Sequence, residues 1–248
     1  MSEYQYYEFV AIDTPLTAAQ MAELRARSSR AVITPTSFVN EYHWGNLKGD
    51  PLDWMRRYFD AHIYVANWCS CWLFLRVPKD VFDKKTLNAF ETQYAFTIDR
   101  THNHWILEWG LSEGQDYDRF GAEDGRGWMG RLGSLRDELL RGDLRPLYLG
   151  WLAGVSAGEI DDQAIEPPPP PGLSRLTAAQ RSLVEFLEVD RDLLAAAAFS
   201  DKPQSDGDIG ADASMDAWIA ALPDNEGRAV IKRLLMGRDL PGSRKTGS

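Results

Sequence analysis

The chain has 248 residues, 44% hydrophobic and 26% charged, which is ordinary globular usage and enough chain to bury a sizeable core. Its formal charge of −10 is uneven, because residues 158–248 carry 10 Lys and Arg against 16 Asp and Glu. A nucleic-acid binder displaces counterions with clustered basic residues; here they gather only in pairs such as Arg56-Arg57 and Lys84-Lys85, so composition argues against nucleic acid. No apolar run approaches the roughly 18 residues that a membrane span needs, and the acidic opening MSEYQYYEF lacks the basic-then-apolar pattern of a signal peptide. Cys69 and Cys71, separated by one serine, cannot staple distant segments and suit a reducing compartment. A cytoplasmic protein without a membrane partner is expected.

Tyr4–Asp13 is rich in aromatic and β-branched residues and reads as a first strand. Thr17 with Gln20 then forms a capping box ahead of a helix. Ala31–Thr34 and Ser37–Trp44 read as extended segments around Pro35, and Asp50-Pro51 opens a short helix as cap and first residue. Two hairpins follow, within residues 61–110, with a helix over Val81–Phe90 between them. Alternation puts Trp72 and Phe74 on one face of their strand and Leu73, Leu75 and Val77 on the other, so both faces are apolar and the strand is central. The expected fold class is α+β: a mostly antiparallel sheet with helices on one face, in a ferredoxin-like or split βαβ arrangement, followed by a helical C-terminal region.

Five segments are expected. Residues 1–111 form an aromatic-rich α+β domain, and 112–157 hold an acidic, Gly-rich loop with helices from Trp128 to Leu140 and from Leu144 to Val155. Residues 158–174, with five consecutive prolines, read as an extended spacer. An acidic helical module covers 175–240, opened by a second capping box at Thr177 and Gln180, and 241–248 form a tail.

Motifs that carry chemistry are few. His102 and His104 share a strand face, as do Cys69 and Cys71, and the four together would suit tetrahedral zinc, with Glu108 as a further ligand. Glu41, His43, His104 and Glu108 on neighbouring strands would form an acid–base site instead. The bland reading makes them solvent-facing positions of an amphipathic sheet, the cysteines buried small hydrophobes, and His62 a core histidine with a hydrogen-bonded ring. Gly125-x-Gly127-x-x-Gly130 fits a dinucleotide fingerprint, but an acidic loop precedes it and more helix follows, so it reads as a hinge entering a helix.

Eight of the nine tryptophans lie between Trp44 and Trp151. Most should be core, with a surplus few left to form a binding groove for a partner. The stretches YQYYEFVAID, ITPTSFVNEYHWG and YFDAHIYVANW resemble the opening of a group of bacterial proteins of unknown function. That resemblance implies a bacterial origin and no activity, cofactor or catalytic residue. The expected function is a non-enzymatic protein–protein interaction or accessory role, with another protein as partner and no cofactor. The alternative is a metal-dependent hydrolase, with zinc as its metal, using His102, His104 and Glu108 with either His43 or the cysteines.

Overall fold

A computed structural model describes residues 4–116, 125–161 and 163–200. Its centre is a seven-stranded sheet built from β1 (Gln5–Val10), β2 (Val32–Thr34), β3 (Ser37–Tyr42), β4 (Ala61–Ala66), β5 (Cys71–Pro78), β6 (Phe96–Arg100) and β7 (His104–Leu111). The order is β2-β3-β1-β4-β5-β7-β6, with every neighbouring pair antiparallel. β1 and β2 are therefore parallel around β3, joined through α1 (Ala18–Arg27), and β3 and β4 are parallel around β1, joined through α2 (Pro51–Arg57). This is the expected split βαβ, ferredoxin-like order. A second split βαβ follows, because β5 and β6 are parallel around β7 and joined through α3 (Lys84–Asn88).

Helices lie on both faces of the sheet, where the sequence suggested one. The reason is topological. β1 and β5 point the same way, but their crossovers leave toward opposite edges, and connections of one hand must then use opposite faces. Burial agrees with this. On the front face, Leu24 of α1 and Met55 of α2 cluster with Phe9 and Phe38. On the back face, Leu87 of α3 clusters with Leu75 and Leu107. The back is completed by α4 (Trp128–Leu132), α5 (Leu135–Leu140), α6 (Arg145–Ser156), α7 (Ala178–Phe186) and α8 (Arg191–Ser200).

Local chemistry sets most boundaries. Thr17 Oγ1 accepts from the Gln20 amide at 3.3 Å while Gln20 Oε1 accepts from the Thr17 amide at 2.8 Å. Thr177 and Gln180 repeat the exchange at 3.1 and 3.2 Å. The pentapeptide LTAAQ, present at both Leu16–Gln20 and Leu176–Gln180, is thus one capping device used twice. Asp50 Oδ1 accepts from the Leu52 amide at 2.9 Å, ahead of Pro51. Asp83 caps at Thr86, so α3 starts later than Val81 and leaves Phe82 to pack in the core. A break at Gly133 divides the helix expected over Trp128–Leu140 into α4 and α5. In α6, Gly150 permits close packing on the sheet, since a Cβ there would lie 2.8 Å from the Trp109 indole.

The proline-rich segment is not a spacer between separate bodies. Met1–Asp201 forms one compact unit. The Glu159 carboxylate accepts from the Tyr94 and Ala95 amides at 2.9 and 3.1 Å, the Tyr148 hydroxyl of α6 donates to Glu166, and Pro167 and Pro170 are buried. The segment straps along α6 and delivers α7, whose Leu183, Phe186 and Leu187 fill the back core. The rest of the acidic helical module expected over 175–240, from residue 201 on, and the tail lie outside the described residues, as does 117–124 of the Gly-rich loop. Among the described residues no helix is long and apolar enough to cross a membrane.

Asp60, wholly buried between α2 and β4, fastens one end of the sheet. Its Oδ2 accepts from the amides of Ile12 and Asp13 at 2.7 and 2.9 Å. Its Oδ1 takes Arg76 Nε at 3.0 Å and an Arg76 terminal nitrogen at 2.6 Å. Arg136 of α5 continues the chain, donating to Asp13 at 2.6 Å and to the Arg76 carbonyl at 2.8 Å.

Candidate functional site

Strand register aligns the front face in rows. One row runs Thr97, Glu108, Phe74, His62, Phe9 and Phe38 across β6, β7, β5, β4, β1 and β3. The next runs Gly110, Trp72, Tyr64, Tyr7 and Asn40. Phe9 and Phe38 lie under Trp54 of α2, with ring centroids 5.2 and 4.9 Å from it. Further along the rows this cover ends. There, Tyr7, Tyr64, Trp68, Trp72, His62 and Glu108 line a cavity of about 390 Å³. A second cavity of about 650 Å³ shares Trp72 and Glu108 and continues to Thr97 and the exposed Tyr94. Trp68, Trp72 and Glu108 are each only half-buried.

Each wall has a physical cause. Trp72 stands beside β7 opposite Gly110, where any Cβ would come within 2.6 Å of the indole Nε1. Glycine there gives the ring its place. Trp68 rides on the β4–β5 turn, where Cys69 takes a left-handed φ of 60°. That turn is tied by the Cys69 amide to the Ala66 carbonyl at 3.1 Å and by the Gly114 amide to the Cys69 carbonyl at 3.1 Å. Gln5 anchors the floor: its Oε1 accepts from the hydroxyls of Tyr7 and Tyr64 at 2.8 and 3.3 Å, and its Nε2 donates to the Gly45 carbonyl and Asn46 Oδ1 at 3.0 and 2.9 Å.

His62 is fully buried and stacked on Phe9, with ring centroids 3.7 Å apart and planes 8° apart. Its Nδ1 lies 2.9 Å from the Glu8 carbonyl. A carbonyl only accepts, so Nδ1 carries the proton and Nε2 is left as a bare acceptor. That Nε2 is buried and has no hydrogen-bond partner among the described residues. Burial pushes the ring down to about 3, against a weaker opposing effect of the bond to Glu8, so the acceptor form persists at neutral pH. The expected core histidine with a bonded ring is found, with one nitrogen still unsatisfied.

Glu108 is the pocket's acid. Burial raises its carboxyl above the ordinary carboxylate range, a hydrogen bond from Thr97 Oγ1 at 3.3 Å partly opposes this, and Asp99 and Asp50 raise it further. Its negative charge is under-compensated. Among the described residues no Lys or Arg lines either cavity.

The residues expected to carry chemistry are placed apart. Glu41 pairs in register with Tyr6 on the back face and binds Arg126 at 2.7 Å, whereas Glu108 is on the front face. His43 lies past the end of β3, its ring 5.6 Å from that of Tyr4. His104 shares Glu108's face but stands four residues away, about 13 Å along the strand. Burial and, less strongly, Arg76 lower His104's pKa. The acid–base quartet is therefore not assembled.

Nor are the candidate zinc ligands brought together. Cys71 pairs with Leu111 at one end of β5, and His104 pairs with Pro78 at the other, about 23 Å away over seven residues. Cys71 Sγ donates to the Phe186 carbonyl at 3.0 Å in the back core, Cys69 Sγ lies 3.4 Å from the Asp116 carbonyl, and His102 is exposed in the β6–β7 turn. Among the described residues no group of three His, Cys, Asp or Glu is placed to hold a metal ion. The site residues that sequence reading missed are Gln5, Tyr7, Tyr64 and Trp68. Their signal was the aromatic parity of Gln5-Tyr7 and His62-Tyr64 beside Trp72-Phe74, which becomes a wall only once β1, β4 and β5 are set in register.

Fold and site together define an α+β protein with an all-antiparallel sheet, cored on both faces, carrying an aromatic, acceptor-lined pocket on the open part of its front face. No family model matches the chain, and no curated protein or solved structure matches it.

Proposed function

We propose that this is a non-enzymatic interaction protein that captures a partner protein on the open part of its front sheet face. The observation that supports this reading is the half-buried pair Trp68 and Trp72, held out by a fixed turn and by Gly110 over two adjoining cavities. Rigid aromatics at the centre of a concave patch are the residues that supply most binding energy at protein interfaces. His62 is held as an acceptor, and among the described residues the cavity it lines holds no Ser, Thr, Cys or Lys. A cytoplasmic setting fits two cysteines that form no disulfide.

A photo-crosslinking residue placed at Trp68 in the full chain, expressed in cells of its source organism, tests this. The expected result is a discrete protein adduct from position 68 and none from Ile165, which is 93% exposed on the strap. No adduct from position 68, or equal adducts from both, would overturn the reading.

A further inference from the structure

We infer that the front-face pocket is a receptor for a guanidinium group, presented as an arginine side chain of the partner; this rests on the interaction reading above. Three features converge on a cationic N–H donor. Among the described residues, the Glu108 carboxylate lies half-buried with the Thr97 hydroxyl donating to it and no basic side chain lining either cavity, in the field of Asp50 and of Asp99, which is itself paired with Arg56 at 2.9 Å. His62 Nε2 is a buried acceptor without a donor, in the same row and two strands away. Gln5 Oε1 accepts from the hydroxyls of Tyr7 and Tyr64, so both of those protons point at the glutamine and away from the cavity.

The remaining wall is aromatic: Tyr7, Tyr64, Trp68, Trp72 and Phe74. Aromatic faces carry negative quadrupole density and attract cations, tryptophan most strongly. An anionic ligand would be repelled by Glu108 and meet no basic side chain among the described residues. A neutral apolar ligand would leave both Glu108 and His62 Nε2 desolvated and unpaired, which costs free energy.

Guanidinium fits better than ammonium. Glu108 and His62 are separated by Phe74 across about 10 Å of sheet, two strand spacings. A planar fork with five N–H donors pairs with the carboxylate, directs its remaining N–H groups across Phe74 toward His62 and stacks flat on the indoles, whereas an ammonium is a compact point charge that holds its water tightly. A quaternary ammonium would use the aromatic walls alone and leave the acceptors empty.

The test titrates the full chain with N-acetyl-arginine-methylamide, followed by tryptophan fluorescence and calorimetry, beside the matching lysine, citrulline and tetramethylammonium probes. Saturable binding of the arginine probe is expected, at least tenfold tighter than citrulline, which keeps the shape and loses the charge. Tetramethylammonium should bind more weakly than arginine. Glu108→Gln is expected to weaken the arginine probe about tenfold, and His62→Phe, which keeps the stacked ring and removes the acceptor, several-fold. Folding is controlled independently. A carboxylate whose folded pKa is raised costs stability once ionised, so at neutral pH Glu108→Gln should unfold no earlier than the parent. Equal binding of arginine and citrulline, tighter binding of tetramethylammonium, or an arginine affinity untouched by Glu108→Gln in a folded variant would overturn the assignment. A crosslink at position 68 with no arginine binding would remove the guanidinium and leave the interaction reading. Loss of both would remove both.

Discussion

Asp60→Asn is expected to destabilise the protein by about 3–5 kcal/mol, the cost of removing one partner from a buried ion pair. Asp60 is wholly buried and receives two backbone amides and two Arg76 nitrogens. Asparagine keeps the shape but leaves Arg76, 14% exposed at its side chain, without a counter-charge. The effect should spread to Arg136, which holds the Arg76 carbonyl and Asp13. Burial alone would raise the Asp60 carboxyl, but the Asp13 amide, Arg76 and the Ile12 amide outweigh it, and the folded pKa lies below the usual value. A depressed carboxylate contributes stability that is complete above its unfolded pKa and is lost as pH falls through the folded one. Denaturant midpoints measured from pH 7 down into the acid range should therefore fall for the parent and fall less steeply for Asp60→Asn. Equal midpoints for the two proteins at pH 7 would contradict this role.

The second large effect lies at the far end of the described chain. Phe186→Ala should cost about 3–5 kcal/mol, the range for a buried phenylalanine that leaves a cavity. Phe186 is fully buried on α7, its ring centroid is 5.1 Å from that of Trp128, and its carbonyl receives Cys71 Sγ from β5. A helix belonging to a tethered, separate module would show a small change confined to its own transition. The structure predicts one shared transition, moved to lower denaturant for sheet and helices alike, when tryptophan fluorescence and far-ultraviolet circular dichroism are followed together.

What was legible in the sequence followed from short-range rules. Both capping boxes, the Asp50-Pro51 helix start and the alternation of Trp72 and Phe74 against Leu73 and Leu75 depend on neighbours within four residues. The failures are all long-range. Parity correctly put His104 and Glu108 on one face, but only the antiparallel pairing of β5 with β7 decides that Cys71 meets Leu111 and Pro78 meets His104, which separates the cysteine and histidine pairs. Five prolines favour an extended backbone, as read, yet whether such a segment is a spacer or a strap depends on partners elsewhere, here Tyr148 and the Tyr94–Ala95 amides. Helices on both faces follow from the opposite directions of two crossovers, which local patterning does not encode. The pocket combines both kinds of information: its aromatic surplus was visible in composition, while its floor needed Gln5, Tyr64 and Trp72 brought from separate strands.

The proposed recognition surface is the open part of the front face. The most direct measurement is the affinity of the purified full chain for the partner crosslinked at position 68, comparing Trp72→Ala with Trp44→Ala. Trp44 is the more exposed tryptophan, at 76%, and lies outside both front-face cavities. Trp72→Ala is expected to lose about thirtyfold in affinity, the scale of an interface hot spot, and Trp44→Ala to leave it unchanged. The reverse order, or equal small losses, would contradict this assignment.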